Sequence, residues 1–144
     1  MLSPKKTKYN KYHRGRIKGK AVRGNKICFG LFGLQAINPS WISSNQIDAA
    51  RKVIDKYTKR DGKAWIRIFP DKSLTKRAAE TRMGSGKGSV DSWVAKVKPG
   101  TILFEINLIS ESIAKLALNL ASHKLSVKTR IINKYKYSYA NKTI

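Results

Sequence analysis

The N-terminal 26 residues restrict the fold of this chain more than any other segment. They carry ten Lys or Arg side chains and no acidic residue. A basic segment without acids is typical of an arm that follows phosphate groups. It also shows no apolar periodicity, and Tyr9, Tyr12, His13 and several glycines interrupt the cations. We therefore predict an extended basic arm over residues 1–26.

The rest of the chain is basic as well. Lys and Arg number 31 against 8 Asp and Glu, which gives a formal net charge of +23. Self-repulsion at such a charge destabilises the compact state, and a polyanionic partner relieves it. Nucleic acid is the commonest such partner and an anionic membrane is the second, while a solvated basic surface is the plain alternative. We expect the arm to become ordered only on RNA.

Several functional classes find no support in the sequence. Cys28 is the only cysteine, which excludes a disulfide framework and a cysteine zinc site. His13 and His123 have no metal partner at a recognised spacing, and no pair of nucleophile and base can be named. No apolar run approaches the roughly 18 residues that span a bilayer, and the N-terminus lacks the apolar segment of a secretory signal. We expect no cofactor, no metal and no small-molecule substrate.

Two functions of other classes are alternatives to RNA binding. An RNA-processing enzyme needs a convergent cluster of acids, histidines or metal ligands, and the sequence shows none. A protein that lies on a membrane surface needs an apolar face, which the basic arm lacks. We therefore predict a non-catalytic protein that does not bind membranes.

Residues 27–132 carry the apolar patterns of a folded domain. Strands are predicted over residues 27–37 (one or two strands), 64–69, 93–98, 102–109 and 127–132. Pro99-Gly100 predicts that the strands on either side of it form a hairpin. Two amphipathic helices interrupt the strands, so we predict an α+β fold with both helices packed on a mainly antiparallel sheet. Residues 133–144 form a basic tail.

The first helix has a clear start in the sequence. Ser43 and Gln46 have the spacing of a capping box, and Ile42 and Ile47 have that of a hydrophobic staple. Gly62, just beyond two basic residues at positions 59 and 60, is the predicted stop. The face expected to be buried consists of Ile47, Ala50, Ile54 and Tyr57.

The second helix is predicted to begin after Ser110, which can cap it. Its apolar stripe consists of Ile113, Leu116, Ala117, Leu120 and Ala121. Because Leu116 and Leu120 lie in the middle of that stripe, we expect both to be buried against the sheet. The tryptophans at positions 41, 65 and 93 are expected in the core or at its edge.

Residues 71–90 form a predicted long loop, rich in Gly, Ser, Thr and charge. Its glycines expose backbone N–H groups that can cradle phosphate. The P-loop pattern fails because Lys87 is followed by Gly88, and the dinucleotide pattern fails because Ser89 replaces its third glycine. Our interpretation is a contact with an RNA backbone, and a flexible surface loop without function is the alternative.

The candidate binding residues form two groups. In the arm, cations are interleaved with aromatic rings that can stack on bases, although ordinary arm composition explains the rings as well. The arm group consists of Lys5, Lys6, Lys8, Lys11, His13, Arg14, Arg16, Lys18, Lys20, Arg23 and Lys26. The loop group consists of Lys76, Arg77, Arg82, Met83, Gly84, Gly86, Lys87 and Gly88.

Five ungapped motifs, taken in order from Met1 to about Arg130, resemble one protein family. They are Met1-Leu-Ser-Pro-Lys-Lys-Thr-Lys8, His13-Arg-Gly-Arg16, Ile27-Cys-Phe-Gly30, Trp65-Ile-Arg-Ile-Phe-Pro-Asp-Lys72 and Thr81-Arg-Met-Gly-Ser-Gly-Lys-Gly-Ser89. The chain is similar to the universal large-subunit ribosomal protein L-sixteen family. The third and fifth motifs look most like its plastid members.

The resemblance implies an α+β two-layer fold on 23S-type rRNA, near the central protuberance and the aminoacyl-tRNA site. It implies that the arm and the loop reach towards tRNA and the peptidyl-transferase region, with neighbouring large-subunit proteins as further partners and a role in late assembly. Arg82 matches a loop arginine that is hydroxylated in some bacteria. Ser73 and Ala78 replace prolines that are usual in plastid relatives. A plastid ribosome in the stroma is the expected location, with the bacterial cytoplasm or the mitochondrion as alternatives.

Overall fold

The computed structural model describes residues 2–58, 62–108 and 110–135. These ranges hold two helices and seven strands, and the predicted α+β fold is confirmed. The elements are β1 (Phe32–Ala36), β2 (Ser40–Ser43), α1 (Ser44–Thr58), β3 (Lys63–Ile66), β4 (Lys72–Lys76), β5 (Ser89–Val97), β6 (Ile102–Asn107), α2 (Glu111–Ser122) and β7 (Thr129–Asn133). Residues 2–31 contain no helix or strand.

The strands form two antiparallel sheets. One has the order β3-β6-β1-β7 and the other the order β2-β5-β4. In the four-stranded sheet, one cross-strand row joins Ile66, Phe104, Leu34 and Ile131. All four belong to or pack against the core cluster, which also contains the buried residues of both helices. The helices therefore cover this face of the sheet, and the opposite face carries the next row of side chains.

The predicted start of α1 is confirmed. The N–H of Ser43 donates to Oε1 of Gln46 at 3.0 Å, and the N–H of Gln46 donates to Oγ of Ser43 at 3.3 Å. Ile42 and Ile47 are fully buried. The predicted burial of Tyr57 is wrong, because this side chain is 38% exposed. The buried residues of α1 are Ser44, Ile47, Ala50, Ile54 and Thr58.

The last buried position of α1 falls on Thr58 and not on Tyr57 because of the helical repeat. Three helical turns take about 11 residues, which leads from Ile47 to Thr58. The hydroxyl of Thr58 donates to the carbonyl of Asp55, so its polar group is satisfied inside the helix. The basic residues 59 and 60 lie outside the described residues. Close packing, and not a helix stop, requires glycine at position 62. A Cβ there would lie 2.6 Å from Cγ of Leu108.

The predicted hairpin around Pro99-Gly100 is wrong. β5 belongs to the three-stranded sheet and β6 to the four-stranded sheet. A turn is present, with Gly100 at a φ of 91°. Its backbone bonds lead to other elements: Gly100 donates to the carbonyl of Ala36 at 2.8 Å, and Pro99 accepts from the N–H of Ala21 at 2.9 Å. The Pro-Gly pair therefore marks the place where the chain crosses between sheets.

The predicted loop over 71–90 is shorter in the structure. β4 occupies Lys72–Lys76, and β5 begins at Ser89. Ser73 pairs with Trp93 across these strands. Leu74 is the only apolar residue of β4, so the strand has almost no alternation in its sequence. Residues 77–88 remain as the loop, and we call them the glycine loop.

The predicted buried face of α2 is confirmed at Ala117 and Ala121 and wrong at Ile113 and Leu116. Leu116 is 51% exposed, Ile113 is 43% exposed and Leu120 is half-buried. The buried residues are Ala114, Ala117, Leu118 and Ala121. Both sets have the same helical spacing, and the small alanines allow α2 to pack closely against α1. Ser110 is the N-cap residue, but its side chain makes no capping hydrogen bond.

The last strand, β7, lies close to its predicted position, while the tail from residue 136 onward lies outside the described residues. Trp41, Trp65 and Trp93 are partly buried, so none of them lies in the core itself. Within the described ranges, neither helix is long and apolar enough to cross a membrane.

Candidate nucleic-acid interface

The arm lies against the glycine loop, and two lysines make the contact. Nζ of Lys11 donates to the carbonyl of Lys87 at 3.0 Å. Nζ of Lys87 donates in return to the carbonyl of Tyr12. The residues predicted separately in the arm and in the loop are therefore brought together by these two lysines.

A second contact joins the arm to the three-stranded sheet. Nζ of Lys72 in β4 donates to the carbonyl of Arg14 at 2.5 Å. The hydroxyl of Ser73 donates to the carbonyl of Asn10 at 2.8 Å. The arm passes along β4 with its backbone carbonyls turned towards the sheet. Arg14 itself remains exposed, and its charged group is open to a ligand.

Positive charges outnumber negative charges around Lys72. Its ammonium is 4.4 Å from the centre of the Trp41 ring. Burial lowers the pKa of Lys72, and the nearby charges of Lys96 and Lys87 lower it further, against an opposing effect of Asp71. A cation whose pKa is lowered by neighbouring positive charges is stabilised by an anion. This part of the surface is suited to a phosphate group.

Two adjoining clefts line this surface. The first contains Tyr12, Arg14, Trp41, Lys76 and Lys87, among other residues. The second contains Lys6, Lys8, Tyr12, Phe69, Lys72 and Lys96, among other residues. Both thus combine cations with aromatic rings, as ligands such as single-stranded nucleic acid require. The other predicted arm residues line neither cleft: Lys5, Lys11, His13, Arg16, Lys18, Lys20, Arg23 and Lys26.

Three contributors to the clefts escaped prediction from the sequence. Lys96 of β5 pairs directly with Trp41 of β2. Lys72 is brought beside them because β4 pairs with the other edge of β5. No local pattern distinguishes these residues from ordinary surface residues, since they meet only through strand pairing.

Arg77 shapes the glycine loop from within. Its guanidinium donates to the carbonyl of Gly84 at 2.5 Å and also to the carbonyl of Gly86. The backbone at Gly84, Ser85 and Gly86 has φ values of 111°, 55° and 83°. Such left-handed backbone favours glycine, so Ser85 is held there at some cost. Arg77, predicted as an RNA contact, is an internal support of the loop.

The tip of the loop is open to solvent. Met83 is 99% exposed, and Arg82 beside it is exposed as well. At the base of the loop, a Cβ on Gly88 would lie 2.6 Å from the carbonyl oxygen of Lys76. The loop thus has a fixed base, an arginine support and a free tip that carries Arg82.

The end of the arm is joined to the domain by backbone bonds. Ala21 donates to the carbonyl of Pro99, and Ile102 donates to the carbonyl of Gly24, both at 2.9 Å. The side-chain amide of Gln35 also donates to the carbonyl of Asn25 at 3.2 Å. Residues 21–25 are therefore bound to the domain by hydrogen bonds of their backbone.

A buried carboxylate fastens the next segment. The side chain of Glu105 is fully buried and accepts the N–H groups of Phe29 at 2.6 Å, Gly30 at 2.9 Å and Cys28 at 3.2 Å. It also pairs with Arg67. Burial raises the pKa of Glu105, but the three N–H groups and the charge of Arg67 outweigh it, and the pKa is lowered overall. Its signal in the sequence is one acid inside an apolar strand.

Among the residues that the structure describes, no three His, Cys, Asp or Glu side chains are placed to hold a metal ion.

Comparison with known proteins gives a consistent result. The family model described as ribosomal protein L16p/L10e matches residues 4–132. The protein named "Large ribosomal subunit protein uL16c" from Phaeodactylum tricornutum is 68% identical over 134 residues, which cover 93% of this chain and 97% of the relative. Relatives of the same name from Thalassiosira pseudonana and Psilotum nudum are 65% and 59% identical, over 92% of this chain and 96% and 94% of their own lengths.

Proposed function

Because this chain belongs to the ribosomal protein L16p/L10e family, we propose that it binds 23S-type rRNA through one surface formed by the arm and the glycine loop. It is a structural constituent of the large ribosomal subunit in plastids and not an enzyme. The observation that carries the proposal is the pair of hydrogen bonds from Lys11 to the carbonyl of Lys87 and from Lys87 to the carbonyl of Tyr12.

The charge distribution supports binding through phosphates. Phosphate contacts contribute additively to affinity and release counterions, so many modest contacts produce strong, salt-sensitive binding. Burial and the nearby cations lower the pKa of Lys72, and an RNA phosphate would offset the effect of those cations. The rings of Tyr12 and Trp41 in the same cleft can stack on unpaired bases between these phosphates.

The loop tip is the part that we assign to aminoacyl-tRNA. Arg82 and Met83 are exposed, while Arg77 and Gly88 fix the loop beneath them. A tip that rests on a firm base can reach a ligand beyond the surface to which the arm is bound. The family resemblance implies that this ligand is tRNA near the peptidyl-transferase region.

The joint surface also supports a role late in assembly. The arm and the loop contact each other, so an RNA partner must offer two neighbouring binding regions at once. Two such binding regions become adjacent only after rRNA segments have folded together. We propose that this chain joins large subunits at that stage, together with neighbouring ribosomal proteins.

The test of rRNA binding uses native large subunits from plastids. If phosphate contacts dominate, the protein sediments with the subunits at low salt and leaves them only at high salt. Release by a mild detergent at low salt would contradict the proposal, because apolar contacts would then hold the protein.

A further inference from the structure

We propose that Phe29, Trp65, Lys63 and Arg67 form a stacking platform for one unpaired RNA base. The platform lies on the face of the four-stranded sheet that the helices leave free. This inference rests on the proposed RNA-binding function and adds a site separate from the arm and the glycine loop.

The alternation of β3 builds the platform. Ala64 and Ile66 pack against the core cluster. Successive side chains of a strand point to opposite faces, so Lys63 and Trp65 point away from the helices. Arg67 follows the strand and keeps its pairing, since its N–H donates to the carbonyl of Leu103 at 2.9 Å.

Phe29 lies beside this row of side chains. Its ring centre is 6.0 Å from that of Trp65, and the ring planes differ by 23°. Arg67 lies over the Phe29 ring, with Cζ 5.0 Å from the ring centre. Lys63 lies over the Trp65 ring, with Nζ 5.5 Å from the centre. Two rings and two cations thus form one continuous patch.

The patch is preorganised from below by Glu105. Its carboxylate holds the N–H of Phe29 at 2.6 Å, and the next residue, Gly30, lies so close to β6 that a Cβ would be 2.6 Å from the carbonyl oxygen of Ile106. Phe29 nevertheless stays 59% exposed. A large ring that is held in place and left open to solvent is suited to bind a flat ligand.

The charges of the patch favour a ligand that carries a phosphate. Glu105 pairs with Arg67 and offsets its charge, whereas Lys63 is exposed and is left to bind a phosphate. Every base offers a π-face to an aromatic ring, and its phosphate suits a neighbouring cation. An unpaired nucleotide therefore meets both parts of the patch, whereas an apolar protein surface would leave the ammonium group of Lys63 without an anion.

The test compares the affinities of the full-length chain for two single-stranded probes. One is oligoadenylate, and the other is a strand of equal length whose bases are replaced by abasic sites. Phe29→Leu should weaken binding of oligoadenylate about tenfold and leave the abasic strand unaffected. Phe29→Tyr, which keeps a ring, should bind both probes like the wild type. Tyr57→Leu, at an exposed ring on α1, is the matched control and should change neither affinity.

Two results would overturn the platform. One is unchanged binding of oligoadenylate by Phe29→Leu, and the other is an equal loss for both probes, which would indicate an effect of charge or folding. Trp65→Phe gives an independent check, because a ring remains and binding should persist. The wild-type chain on 23S-type rRNA tests the proposed function separately: if it binds there with the expected salt dependence, a failed platform leaves that function standing.

Discussion

The ammonium of Lys11 binds the backbone of Lys87, although the two residues lie 76 positions apart in the chain. The ammonium of Lys11 donates to the carbonyl of Lys87, and the ammonium of Lys87 donates to the carbonyl of the residue that follows Lys11. Exposed contacts of this kind are weak individually, and the two ammonium groups repel each other. A phosphate between arm and loop would strengthen the arrangement, which is why we treat both as one surface.

The first prediction concerns the free protein. The N–H groups of Cys28, Phe29 and Gly30 bind a buried carboxylate, so they should exchange slowly with solvent. Residues 5–20 are held by isolated side-chain contacts to backbone carbonyls, so their N–H groups should exchange fast until RNA is added. Amide hydrogen exchange followed by NMR measures both segments. Strong protection of residues 5–20 without RNA would contradict the expectation that the arm becomes ordered on RNA.

Glu105 gives a prediction for stability. Glu105→Gln leaves Arg67 without its partner and weakens the hold on residues 28–30. The loss of a buried ion pair should cost about 3–5 kcal/mol at neutral pH. The control is Glu111→Gln, which removes an exposed pair with Lys115 and should cost less than about 1 kcal/mol. Urea unfolding compares the three proteins, and equal stabilities would contradict the importance of Glu105.

The pH dependence of the same group has a definite sign. The pKa of Glu105 is lower in the folded chain than its ordinary value of 4.5. Its contribution is therefore fully present above that value and is lost as the pH falls through the folded pKa. The stability difference between wild type and Glu105→Gln should shrink on acidification below 4.5. A difference that grows in acid would show that the pKa is raised instead.

The sequence predicts local structure well and the choice of partners poorly. The capping box at Ser43 and Gln46 was predictable because two residues three positions apart determine it. The Pro99-Gly100 turn was also predictable, but the separation of β5 from β6 was not, because it depends on pairing with distant strands. The buried carboxylate of Glu105 has its function only through residues 28–30, whose N–H groups it binds. The family motifs, in contrast, predict a ribosomal protein from sequence alone, because each motif combines several residues in register.

The corrected face of α2 can be tested with two leucines on one helix. Leu118 is fully buried, whereas Leu116 is 51% exposed. Leu118→Ala should cost about 2–5 kcal/mol, and Leu116→Ala should cost less than about 1 kcal/mol. Thermal or urea unfolding measures both. The reverse order of the two losses would restore the face that the sequence predicted.

Two arginines of the glycine loop should differ in their effects. Arg82 is exposed at the tip, so Arg82→Ala should still assemble into large subunits but should slow aminoacyl-tRNA accommodation or elongation. Arg77→Ala removes the support of Gly84 and Gly86 and should disturb the shape of the whole loop. Occupancy in purified subunits and the elongation rate of the same ribosomes are measured together. Normal elongation at full occupancy of Arg82→Ala would reject the assignment of the tip to tRNA.

The salt dependence of rRNA binding tests the central claim most directly. Residues 2–20 carry eight Lys or Arg side chains, which can be replaced by Gln without changing the length of the arm. The affinity of the wild type and of this variant for 23S-type rRNA is measured over a series of salt concentrations. Each lost phosphate contact lowers the slope of log affinity against log salt by about one unit. We predict a decrease of several units, and an unchanged slope would contradict the claim that the arm binds the RNA backbone.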